Sequence, residues 1–325
     1  MGISKYFIFR NYQNRFLDLL SNRFYNFIKK YEDNISNSLV SRREEYAPIF
    51  IIGSPRTGST IVFEHLSNEL NILYTNNLTW KFYKNFLFSF ILSDKIYKNR
   101  PHNCFESNHG ATLSCGWNAP SECGTFWRRW IDVDNKNFYD VDDLNDTQKN
   151  EIKNEIERVI KYFDKPILFK NLINGQMIRV LIDIFPNAKF IFVKREPLLT
   201  AQSILKAKRK NGMRDNDYWS IKPKNYSTLK EIDNPYEQII KQIYYIEKQI
   251  IEDAKLLPKD NFLTLNYENL EEDLKRAKSF IGIGDRDDYQ SSLLKINSKI
   301  TLDKSEIDAF KSEIVKLDWS GMYDV

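Results

Sequence analysis

Glycine is scarce in this sequence, with 11 among 325 residues, about half the usual share of roughly 7%. Two glycines falling close together therefore mark a place where the backbone needs them. Cysteine is scarcer still, and its three residues, Cys104, Cys115 and Cys123, fall in one stretch. So small and odd a number is no disulfide framework, and the simplest setting is a reducing one, which predicts a cytoplasmic protein. Charge of one sign is also lacking: 48 Lys and Arg face 44 Asp and Glu, a formal net charge of +4. Binding nucleic acid by phosphate neutralisation calls for a clear basic excess, so no nucleic-acid partner is expected. Long apolar runs are missing as well. Residues 86–92 are apolar, but Lys84 and Asp94 bound them, far below the roughly 20 residues that span a bilayer. Residues 6–9 are apolar but end at Arg10, which does not suit a secretory leader.

Hydrophobic residues at 42% and charged residues at 28% match ordinary globular composition and exclude disorder as the default. Residues 5–31 place Phe7, Phe16, Leu19, Leu20, Phe24 and Phe27 among basic residues at helical spacing, which predicts a helix packed on the domain. Its basic face could also rest on a membrane surface. A polar linker is expected over 33–45, so that a helical segment and linker occupy 1–45 and one domain occupies 46–325. Apolar runs at 48–52, 167–169, 190–193 and 262–265 read as buried strands, and helical patterns follow at 59–70, 177–184, 198–208 and 235–255. Strands alternating with helices predict an α/β fold, a central parallel sheet flanked by helices. Residues 74–165 break the alternation and carry Trp80, Trp117, Trp127 and Trp130 with all three cysteines. They are expected to form a helical, aromatic-rich insertion that builds a pocket over the sheet.

The strongest local signal is Gly53-Ser54-Pro55-Arg56-Thr57-Gly58-Ser59-Thr60, between the first strand and the first domain helix. Backbone N–H groups of such a loop, with the positive end of the helix, form a site for phosphate or sulfate oxygens. The spacing is P-loop-like, except that Ser59 stands where a Walker A loop has its lysine and the cation comes earlier, at Arg56. That departure counts against a kinase or ATPase, which needs the lysine and a Mg²⁺ site. A second signal is Arg195, at the carboxyl end of the 190–193 strand, with Ser203 eight residues on and facing the same way. A guanidinium and a hydroxyl converging there suit a second phosphate. His102 and the three cysteines are zinc-compatible ligand types, but they lack the paired spacing of structural zinc sites, so no metal is expected.

Together these segments resemble the sulfotransferases that use 3′-phosphoadenosine 5′-phosphosulfate (PAPS). Leu168-Phe169-Lys170-Asn171 is similar to that family's lysine-bearing strand, and Leu265-Asn266-Tyr267-Glu268-Asn269-Leu270 to the tyrosine segment that touches adenine in some members. The resemblance implies a P-loop-like sulfotransferase fold, PAPS as donor and PAP as product. It also implies that the loop from Ser54 to Thr60 holds the 5′-phosphosulfate, and that Arg195 and Ser203 hold the 3′-phosphate. Arg56 and Lys170 are expected on the transferring group. The acceptor is expected to be a small molecule or glycan with a hydroxyl or amine, bound in the insertion. An acceptor hydroxyl needs a base. The stretch 74–79, where related families often place a glutamate, has none. Glu122 is the first candidate, from a Pro-Ser-Glu segment flanked by Trp117 and Trp127; His109 is the second and Glu106 a third. Glu64 and His65 read as helix surface and packing. A nucleotide kinase and a noncatalytic nucleotide binder are the alternatives to a sulfotransferase.

Overall fold

The run Ile49–Ile52 is apolar at every position because both faces of that strand are covered. In the computed structural model, which describes residues 25–38, 46–98, 100–106, 112, 115–289, 294, 296 and 298–323, it is β1, the middle strand of a sheet. The others are β2 (Leu73–Tyr74), β3 (Ile167–Lys170), β4 (Lys189–Lys194) and β5 (Phe262–Asn266), in the spatial order β2-β3-β1-β4-β5. All pairings are parallel, with Phe50 opposite Phe169 on one side and Phe190 on the other. The carboxyl ends of the strands therefore share one edge. The predicted strands are present, and the two-residue edge strand β2, too short to carry a pattern, is added to them.

Alternation along β1 divides the core. Ile49 and Ile51 point to a cluster with Leu168, Ile191, Val193 and Leu265, covered by Val62, Phe63 and Leu66 of the helix Ser59–Glu69. Phe50 and Ile52 point the other way, where the Phe50 ring stacks on Phe169 at 5.4 Å and on Phe190 at 5.3 Å between centroids. Such a ring-lined face needs an equally aromatic cover. Residues 74–165 supply it: Phe86 of the helix Phe86–Tyr97, with Phe126 and Trp127 of the short helix Gly124–Trp127, packs onto the three phenylalanines, and the helix Asp146–Phe163 closes the layer. The segment expected as a pocket wall is thus also half of the core.

The helix Tyr25–Ser38 runs on into the stretch expected as linker. It docks through Glu32, whose buried carboxylate accepts hydrogen bonds from the Phe88 N–H at 2.8 Å and from Asn85 Nδ2 at 3.3 Å. The remainder of the helix expected over 5–31, with its membrane-facing alternative, lies outside the described residues. Among the described residues no helix is long and apolar enough to cross a membrane.

Phe169 is 1% exposed and touches Phe50, Phe86, Phe126 and Trp127. Its truncation to alanine should cost about 3–5 kcal/mol, because rings held on every side cannot collapse into the space. Denaturant unfolding of Phe169→Ala checks this; a loss below about 1 kcal/mol would mean that this face is loosely packed.

Candidate active site

The loop leaving β1 turns because two of its positions have no side chain. A Cβ on Gly53 would lie 2.6 Å from the Val193 carbonyl oxygen of β4, and one on Gly58, at φ 92°, would run into the Tyr267 ring. Ser54 and Thr57 lie fully buried beneath the loop. Thr57 Oγ1 donates to the Ser54 carbonyl at 3.0 Å, and Ser54 Oγ donates to Glu247 Oε1 at 2.6 Å, on the helix Pro235–Ala254. The other Glu247 oxygen accepts a short hydrogen bond from the Tyr323 hydroxyl, whose ring also lies 3.7 Å from Lys194 Nζ. The loop is therefore anchored from below by a carboxylate and from the carboxyl end of the chain by a tyrosine. Burial pushes the Glu247 carboxyl up to about 7, against the bonds from Ser54 and Tyr323 that favour its charged form.

Arg56 holds a left-handed backbone at φ 69°, a conformation that costs a non-glycine residue about 1–3 kcal/mol and clusters at functional sites. Its Nε donates to Ser203 Oγ at 3.0 Å, and Arg195 Nη1 donates to the Arg56 carbonyl at 3.3 Å. The Arg195 guanidinium lies 4.3 Å from the centroid of the Tyr267 ring. Arg56, Arg195, Ser203 and Tyr267, from four separate elements, thus meet at the carboxyl edge of the sheet, where parallel sheets bind ligands. Burial holds both guanidinium groups below their usual range, and the Arg195 charge adds to the effect on Arg56. Two partly buried cations that line one cleft are a ready receptor for an anion.

At the end of β3, Lys170 is nearly buried and its ammonium makes a short ion pair with Glu122 Oε1. Asn171 Nδ2 donates to the Glu122 carbonyl at 3.2 Å. A cleft of about 540 Å³ joins the two cationic groups, lined by the loop from Pro55 to Thr60, by Arg195, Tyr267, Lys170 and Glu122, and by Glu64, Phe105 and Glu106. Of the described site residues expected from the sequence, Pro55, Arg56, Gly58, Ser59, Thr60, Glu122, Lys170, Arg195 and Tyr267 line this cleft, Ser54 and Thr57 are buried in the loop, and Ser203 bonds to Arg56. His109 lies outside the described residues. The Arg56 side chain lines the cleft and turns toward Ser203, a contact that loop spacing alone could not reveal.

Other positions were not anticipated. Glu64, read as helix surface, is 2% exposed and lines the cleft, because the helix Ser59–Glu69 is covered on nearly all sides. His65 does pack, against Phe105, and pairs with Glu69 at 3.0 Å. Cys104 and Cys115 form a disulfide, with Cα atoms 5.9 Å apart, contrary to the reading of the cysteine count. The chain doubles back so that both sulfurs meet near the Glu106 carbonyl, a fold-back that three cysteines in one stretch do not announce. The bridge removes the argument for a reducing compartment and takes two thiols out of the zinc-compatible set. Among the described residues no group of three or more His, Cys, Asp or Glu is placed to hold a metal ion.

Residues 48–278 match the model of the Sulfotransferase family. No curated protein matches the sequence. Among solved structures, the chain is similar to the sulfotransferase STF9 from Mycobacterium avium, at 10% identity over 89% of this chain and 72% of that one, with a TM-score of 0.48. It is similar to the sulfotransferase STF1 from Mycobacterium tuberculosis at 12% identity over 90% and 79%, with a TM-score of 0.44. For the sulfotransferase domain from the curacin biosynthetic pathway the identity is 12% over 75% and 77%, and the TM-score 0.41. Likenesses of this extent carry no argument about the site.

The Glu247 anchor is expected to make stability depend on pH. A carboxyl raised from 4.5 to about 7 by folding contributes stability that is fully present below its unfolded value and lost as pH rises toward 7, about 3 kcal/mol in all. Glu247→Gln should remove that slope. Unfolding free energies measured at pH 4.5 and 7.5 check it, and an unchanged difference in the variant would overturn the assignment.

Proposed function

The chain belongs to the sulfotransferase family, and we propose that it moves the sulfuryl group of PAPS to a hydroxyl, or an amine, of a small-molecule or glycan acceptor. The observation that carries this reading is the presence of two cationic groups in one cleft, Arg56 with Arg195 at one end and Lys170 at the other. A donor with an anionic group at each end fits that arrangement. A magnesium nucleotide fits it poorly: β3 and β4, the two neighbours of β1, end at Lys170 and Lys194, where a Mg²⁺ site would want a carboxylate.

Each residue then has a separable part. Arg195, Arg56 and Ser203 take the 3′-phosphate, with the Tyr267 ring holding the Arg195 guanidinium in place. The N-terminus of the helix Ser59–Glu69, with the hydroxyls of Ser59 and Thr60, takes the 5′ side. The donor, when bound, supplies a sulfuryl group on a phosphate leaving group. Lys170 sits where negative charge grows as the bond to that leaving group breaks, an interaction stronger in the transition state than before it. Glu122, paired with Lys170 at rest and loosened as the donor shares the ammonium, takes the acceptor's proton as the new S–O bond forms.

PAP binding tests the donor end. Arg195→Ala should weaken PAP by about 1.5–3 kcal/mol, the worth of a hydrogen bond to a charged group, and Ser203→Ala by less, while an analogue without the 3′-phosphate should be indifferent to both. Calorimetry with the two ligands reads this, and equal losses for both would refute the placement. Turnover tests the base. Glu122→Gln should retain PAP affinity and lose roughly 10²- to 10⁴-fold in turnover; if it turns over normally while His109→Ala does not, the base is His109.

A further inference from the structure

A second cavity, about 330 Å³, adjoins the donor cleft. Glu122, Leu172 and Ser220 line both spaces, so the candidate base stands in the partition between them. Ser220, at φ 73°, holds a left-handed backbone, as do Arg56 in the loop and Cys123 beside Glu122, so three strained non-glycine residues gather at this locality. Beyond the partition the wall mixes the apolar Val133, Ile173, Ile221 and Trp127 with the amides of Asn137 and Asn171.

The mouth of the cavity is cationic. Arg128, Lys136 and Lys222 line it, with Asp134 as the one carboxylate on that side. Arg128 and Asp134 pair at 3.0 Å with half or more of each side chain exposed, and Lys136 pairs with Asp143, outside the cavity lining, also in contact with water. Exposed pairs of this kind are worth little and exchange readily for another anion. Lys222 makes no ion pair among the described residues; its ammonium donates to the Asp134 carbonyl at 3.3 Å and lies 4.8 Å from the Tyr226 ring.

Resting on the donor reading above, we propose that this cavity is the acceptor site and that its acceptor is a small hydroxylated anion. The hydroxyl faces Glu122 through the partition, other oxygens of the body meet Asn137, and a carboxylate, phosphate or sulfate group meets Lys222 and Lys136 at the mouth. A ring with several oxygens, such as a sugar acid or sugar ester, combines these features at the size of the cavity.

The test is calorimetric titration of the enzyme saturated with PAP, so that anions cannot enter the donor cleft. Glucose, glucuronate, glucose 6-phosphate and glucose 6-sulfate are the probes. At least one charged probe should bind ten-fold or more tightly than glucose, and which one does distinguishes carboxylate from phosphate from sulfate. Lys222→Ala combined with Lys136→Ala should bring the charged probes to the level of glucose and leave PAP affinity unchanged. Equal affinity for charged and neutral probes, binding of neither, or a preference that survives both substitutions overturns the proposal while PAP binding upholds the donor reading. Failure of the native protein to bind PAP overturns the donor reading and this proposal with it.

Discussion

Two guanidinium groups held together against their own repulsion are the constraint on which the rest of the site depends. Arg56 and Arg195 are each partly stripped of water, which makes it harder for either to carry its charge, and the Arg195 charge adds to that effect on Arg56. Nothing local to either residue accounts for their meeting. Arg56 reaches its place only through a left-handed backbone, which in turn requires the loop to be clamped by the Ser54–Glu247 hydrogen bond from below. Arg195 keeps its place against Tyr267, whose ring can approach the loop only because Gly58 has no Cβ. Scarce glycine and a strained arginine are therefore two aspects of one arrangement, in which folding energy is stored as an unfilled demand for negative charge.

The sheet makes the arrangement possible. In an all-parallel sheet with β1 at the centre, residues that follow β1, β3, β4 and β5 emerge on one edge, although they are spread along the chain from Gly53 to Tyr267. The alternation of Phe50 and Ile52 against Ile49 and Ile51 then assigns the two faces different covers. One face takes the helix that follows the loop. The other takes residues 74–165, and because those residues are fastened to the core by Phe86, Phe126 and Trp127, Glu122 is carried to Lys170 on a rigid support.

The strands and the loop were legible because each rests on a short, contiguous pattern: an apolar run, two glycines, a hydroxyl cluster. The family was legible for the same reason, since its segments are local and occur in order. What escaped depends on pairs distant in sequence. Glu64 looks like a surface residue on a weakly amphipathic helix and is buried because the helix is covered on most sides. Glu247 lies in a long helix with nothing beside it to mark its bond to Ser54. The direction taken by Arg56 is decided by Ser203, far along the chain, and the Cys104–Cys115 bridge by a fold-back without a spacing signature. The edge strand β2 has two residues, too few for any periodicity.

The pairing of Glu122 with Lys170 joins the two halves of the proposed chemistry. Lys170 is one charge with two claimants, the Glu122 carboxylate and any anion in the donor cleft. A base that remains in a tight ion pair is slow to accept a proton, so a strong pair at rest suits an enzyme only if the pair loosens when the reaction is ready. In the proposed reaction an anionic donor group beside Lys170 would do that, by sharing the ammonium's hydrogen bonds and leaving a carboxylate oxygen of Glu122 free to turn toward the partition. Donor binding and base activation are then the same electrostatic event, and an acceptor reaching Glu122 before the donor is in place meets a carboxylate whose charge is already engaged.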